Sequence, residues 1–97
     1  MALKETQKRF LRKRAHQLKP VVIVGEKGLS ENVLNELDQT LEHHELIKVR
    51  VNAGDRDERD ELISTLCTKA RCNLVQRIGH IVIIYRPAMK PRLKLPK

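Results

Sequence analysis

The sequence predicts a single α/β domain with the element order α-β-α-β-α-β-β and a four-stranded mixed sheet on which the helices pack. Three observations lead there. Helix-period apolar stripes occur in three segments of the 97 residues. Runs rich in Val and Ile follow them, at 20–24, 46–51 and 74–85. Gly79-His80 divides the last run, with glycine at the first central position of a type II′ hairpin turn. Helices between the first three strands imply parallel crossovers, and the final hairpin is antiparallel.

The first helix is expected over residues 5–18. Phe10, Leu11, Ala15 and Leu18 form a narrow apolar stripe, Lys8, Arg9, Arg12 and Lys13 fall elsewhere on the wheel, and Pro20 closes the helix. Strand 20–24 is apolar without alternation, which predicts cover on both faces, with the second and third helices on one and the first helix on the other face or at an edge. Ser30 is a good N-cap for a helix to about His43, whose buried stripe is Val33, Leu34, Leu37 and Leu41. In strand 46–51, Ile47, Val49 and Val51 alternate with Lys48 and Arg50. Asn52-Ala53-Gly54 turns the chain, and the D-x-x-E pattern of Asp55 and Glu58 opens a third helix to about Arg71. Leu74–Ile78 and Ile81–Tyr85 make the hairpin. Residues 1–87 are thus the domain, and 88–97, with Pro91 and Pro96 among bases, are expected to be a flexible basic tail.

Net charge is +8, unevenly spread. Residues 1–19 carry +6, residues 86–97 carry +5, and the middle carries −3. Two basic ends around a non-basic core fit a polyanionic partner, because neutralised phosphates release counterions. Aromatics are limited to Phe10 and Tyr85, so the core is aliphatic and no aromatic platform for stacked bases exists.

The segment PVVIVGEKGLSENV places a strand, a GxxG loop and a helix N-terminus in succession. Gly25 and Gly28 allow close backbone approach. The free N–H groups of the next helix turn favour an anion. Glu26 offsets Lys27, so backbone amides must do most of any phosphate binding. A tight turn without a ligand is the competing reading.

The blocks AHQLKPVVIVGEKGLSENV, LEHHELIKVRV and VQRIGHIVIIYRP, with this topology, resemble the CRM domain (chloroplast RNA splicing and ribosome maturation), in its stand-alone bacterial YhbY form, over about residues 8–87. The resemblance implies a fold similar to the C-terminal domain of translation initiation factor three. It also implies RNA binding, associated with precursors of the large ribosomal subunit, through a GxxG loop at Gly25, Glu26, Lys27 and Gly28. Beside the loop, the expected contacts are Lys8, Arg9, Arg12 and Lys13 on the first helix, with His16, Lys48 and Arg50. For His16, Lys48 and Arg50 an ordinary surface role stays equally open.

Other classes find little support. His43-His44-Glu45 starts an HExxH-like string, but Lys48 stands where the second histidine belongs. Cys67 and Cys72 offer too few ligands for zinc and read as small residues in or near the core. No nucleophile has a base and an orienting partner. The expectation is a non-enzymatic RNA-binding monomer with no cofactor, metal, membrane or small-molecule substrate. The opening MALKETQKRF has no apolar signal region, which predicts a cytoplasmic location. A DNA-binding regulator is the alternative, and an RNA-processing enzyme a weaker one.

Overall fold

A computed structural model describes residues 2–97. Its elements are α1 (Glu5–Ala15), β1 (Pro20–Val24), α2 (Glu31–His44), β2 (Leu46–Val51), α3 (Arg56–Ala70), β3 (Asn73–Ile78) and β4 (Ile81–Tyr85). The four-stranded sheet has the order β1-β2-β4-β3. β1 and β2 are parallel, and β4 is antiparallel to both β2 and β3. β3 therefore runs in the direction of β1 and β2, and α3 is a parallel crossover with β4 inserted beneath it. That insertion follows from composition. Val82, Ile83, Ile84 and Tyr85 are all buried, so β4 needs a neighbour on each side and cover on each face.

Two apolar clusters sandwich the sheet. On one face, Leu37 and Leu41 of α2 and Ile63, Leu66 and Ala70 of α3 pack on Val22, Val24, Ile47, Val49, Val51, Val82 and Ile84. Cys67 and Cys72 pack against this cluster, partly buried. On the other, Leu11 and Ala15 of α1 pack on Leu46, Val75, Ile83 and Tyr85. The caps are those the sequence indicates. Ser30 Oγ accepts from the Val33 amide at 3.2 Å, and Asp55 Oδ1 accepts from the Glu58 amide at 2.9 Å.

Three expectations are corrected. α1 stops at Ala15 rather than reaching Leu18, which lies past the helix end and is exposed. α1 lies over β2, β4 and β3 and does not finish the cover of β1. Val21 and Ile23 are 50% and 60% exposed, so the continuous apolar run in β1 does not mean two covered faces.

The third correction concerns residues 88–97, expected as a flexible tail. They are seated on the domain. Ala88 is buried, Leu93 and Leu95 pack against the α1-side cluster, and Gln7 Nε2 donates to the Pro96 carbonyl at 3.0 Å. The anchor is Glu45, only 1% exposed, between α2 and β2. Its carboxylate accepts from the amides of Ala88, Arg92 and Leu93 at 2.9, 3.0 and 3.0 Å. Its own carbonyl accepts from the Arg86 amide at 2.9 Å. Glu45 holds φ 67°, ψ −48°, a costly conformation for a residue with a Cβ. The three hydrogen bonds that backbone amides donate to its carboxylate hold it there.

Burial alone would raise the Glu45 pKa, but the three amides and the Arg92 guanidinium outweigh it and hold the carboxyl below the usual carboxylate range. With the folded pKa below the unfolded one, the stabilisation is present above the unfolded value and is lost as pH falls through the folded value. Acid titration should therefore release the tail, read as early proteolysis within residues 88–97. Glu45→Gln should cost about 1–3 kcal/mol at neutral pH and flatten the acid limb of the stability profile.

Candidate nucleic-acid interface

Because β1, β2 and β3 share a direction, the connections that follow them lie at one end of the sheet. Backbone bonds tie them together. The Asn52 amide donates to the Val24 carbonyl at 2.8 Å, and the Val51 amide to the His80 carbonyl at 2.7 Å. His80, read as a turn residue, also places its ring Nδ1 3.0 Å from the Val51 carbonyl, which its N–H tautomer bonds.

The GxxG loop stands at this end. The Gly28 amide donates to the Gly25 carbonyl at 2.9 Å, closing a tight turn with Glu26 and Lys27 exposed at its tip. Gly25 has open space where a Cβ would project. Gly28 takes φ +70°, which disfavours any residue with a Cβ. Ser30 occupies the Val33 amide, and the amides of Glu31 and Asn32, both exposed residues, carry no such bond. These two amides and the positive end of α2 form an anion-attracting surface beside Gly25.

The expected basic residues divide into two groups. Arg9 and Lys13 on α1, His16 just past its end and Arg50 on β2 are exposed. Lys13, His16 and Arg12 line a groove toward Gln76 and Ile78, at the loop end of β3. Arg12 is half-buried and paired with Glu5 at 3.2 Å. Lys8 is also half-buried. Lys48 sends Nζ to the His16 carbonyl at 3.5 Å, where it meets the negative end of α1. The structure thus brings Arg50, Lys13 and His16 to the loop end, engages Arg12 in an ion pair within α1, and uses Lys48 partly to hold the end of α1.

The tail charges are mostly elsewhere. Arg86 is 16% exposed and bonds Asp38 at 2.8 Å and the Ala70 carbonyl at 3.0 Å, joining α2 to the C-terminus of α3. Arg92 donates to the Glu42 and His43 carbonyls. Both belong to the end of the sheet opposite the GxxG loop.

Sequence reasoning missed one basic group. Arg56, Arg59 and Arg77 line a cavity of about 360 Å³ with Gly79. Their only signal is the i, i+3 spacing of Arg56 and Arg59, since Arg77 arrives through the hairpin. Asp60 pairs with Arg77, and Asp55, Asp57 and Glu58 surround the helix start, so this corner is electrostatically balanced. Among the described residues, no three His, Cys, Asp or Glu side chains are grouped to hold a metal, and no helix is long and apolar enough to cross a membrane.

A model of the CRS1/YhbY (CRM) domain matches residues 3–86. The chain belongs to the CRS1/YhbY (CRM) family. It is 43% identical over 95 residues to an RNA-binding protein of Haemophilus influenzae, covering 98% of this chain and 96% of that one. It is 46% identical over 95 residues to a protein of Pseudomonas aeruginosa named a probable RNA-binding protein, covering 98% and 91%. The solution structure of a hypothetical Staphylococcus aureus protein, proposed to bind RNA, superposes with a TM-score of 0.84 at 41% identity, covering 98% of this chain and all of that one. The CRM resemblance and the α/β fold expected from the sequence therefore stand.

The two loop glycines should respond differently to substitution. Gly28→Ala should cost about 1 kcal/mol in thermal unfolding because of its positive φ. Gly25→Ala should melt within about 0.5 kcal/mol of the parent, since nothing meets its Cβ.

Proposed function

We propose that this protein is a non-catalytic RNA-binding module that acts on precursors of the large ribosomal subunit in the cytoplasm. The observation that carries the reading is the open turn at residues 25–28. Its unconstrained Gly25, the free amides of α2 and the exposed Arg50 and Lys13 face the same end of the domain. The family match and the names of its relatives support RNA as the polyanion. The loop clamps a phosphate through backbone amides, with Lys27 adding a point charge. Arg9, Lys13 and Arg50 steer and hold neighbouring phosphates, which gives recognition by backbone and shape. The protein works as a monomer, without a metal or cofactor, and its carboxylates serve caps, helix dipoles, ion pairs and the Glu45 anchor.

The experiment is co-sedimentation with large-subunit particles. The protein should travel with immature particles at low salt, leave them at high salt and be depleted from translating ribosomes. Equal stoichiometry on translating ribosomes would refute the assembly role. With about four cations engaged, log K against log salt should slope at roughly −2.8 to −3.6. Replacing Arg9 and Lys13 by Ala should reduce that slope by about 1.4–1.8. Gly25→Asp, which puts a carboxylate where the phosphate approaches, should weaken RNA binding about tenfold or more without lowering the melting temperature. Lys27→Ala should be milder.

A further inference from the structure

The outer face of the sheet is only half covered. α1 closes it over Leu46, Ile83 and Tyr85 and leaves the rows nearest the loops open. Register places Ile23 beside Arg50, Arg50 beside Ile81, and Ile81 beside Ile78. Residues paired in register share a face, so one row across all four strands reads Ile-Arg-Ile-Ile. Ile23 is 60% and Ile78 58% exposed, Arg50 is exposed, and Ile81 is half-buried. Val21 extends the apolar floor along β1. With strands about 4.8 Å apart, the row is roughly 14 Å long.

Its border is cationic. Arg12 and Lys13 of α1, with His16 and Gln17 just past its end, line an open cavity of about 640 Å³ together with Gln76 and Ile78. None of the residues that form the row or line this cavity is acidic. A solvated sheet face is ordinarily polar, and exposed apolar edge strands invite a partner. Here the charge around the floor selects an anionic one. The flat aliphatic surface suits the face of a planar base, and the GxxG loop begins two residues beyond Ile23.

We propose that this Ile23-Arg50-Ile81-Ile78 floor binds unpaired bases of a single-stranded RNA segment whose backbone runs from the residue 25–28 loop past Arg50 toward Lys13 and His16. The proposal rests on the RNA-binding reading above and adds a selectivity to it. A duplex keeps its base faces stacked and offers this floor only phosphates. An unpaired segment on a folded RNA offers base faces, which bury Ile23 and Ile78, as well as phosphates for Arg50 and Lys13. The absence of exposed aromatics makes the contact aliphatic, and its sequence preference weak.

The test compares the protein with the Ile23→Thr/Ile78→Thr double variant. Threonine keeps the β-branched shape that suits a strand and removes apolar surface. The probes are a short mixed-sequence single-stranded RNA and a duplex of the same length, at matched salt. The variant should bind the single strand roughly fivefold more weakly, with duplex affinity, salt slope and melting temperature unchanged. No weakening, or equal weakening on both probes, overturns the proposal while leaving RNA binding in place. A parent protein that binds neither probe overturns the floor, and the RNA reading falls with it only if the protein also fails to travel with large-subunit particles. If the variant keeps single-strand affinity but no longer travels with large-subunit particles, the floor docks a protein and the proposal fails. A parent dimer that the variant dissolves gives the face to a second copy, and the proposal fails again. Should the double variant melt early, Ile23→Thr alone carries the same comparison.

Discussion

Strand β4 constrains the rest of the fold. Ile81–Tyr85 is apolar at every position, and four of its five residues are buried. Such a strand has to sit inside the sheet with cover on both faces. Placing it between β2 and β3 makes β1 and β3 the edges. It also leaves β1, β2 and β3 sharing one direction, with β4 alone opposing them. As a result the GxxG loop, the Asn52–Asp55 turn and the Gly79 turn all meet at one end. The two-sided cover comes from α2 and α3 on one face, and from α1 with the C-terminal segment on the other. A helix of 11 residues is too short to close the second face alone, and the loop end of that face stays open.

Glu45 organises the opposite end. A carboxylate taken out of water must be compensated, and here backbone amides from residues 88, 92 and 93 compensate it. The same arrangement seats Leu93 and Leu95 beside α1 and spends Arg92 on the end of α2. The domain is thereby polarised. One end holds a buried charge network and a docked tail. The other presents glycines, free amides, exposed cations and uncovered isoleucines.

Much of this was legible in the sequence. β1, β2 and β4 have the bounds that the Val and Ile runs indicate, and Ser30 and Asp55 cap as their side-chain chemistry requires. The strand-GxxG-helix succession at residues 20–33 located the loop, and the resemblance to the CRM domain added RNA as its ligand. Two features were hidden because they depend on tertiary position. A continuous apolar run reads the same whether both faces are covered, as in β4, or one lies open, as in β1. The tail signalled its composition through prolines and bases, and masked the i, i+2 leucines at 93 and 95 that dock it. Glu45 was invisible for a related reason. A glutamate after two histidines looks like a helix end, and only the returning chain reveals that it is buried. Arg86 likewise counted as tail charge until the fold placed it against Asp38 and Ala70.

The central claim is that the loop end, and not the docked tail, meets RNA. Mapping backbone amide chemical shifts during titration with a fragment of large-subunit ribosomal RNA tests it most directly. The account predicts that the largest changes fall on Gly25 to Asn32, Arg50 and residues 13–17, with Lys90, Lys94 and Lys97 nearly unmoved. Changes concentrated on residues 88–97, with the Gly25 to Asn32 segment silent, would contradict it.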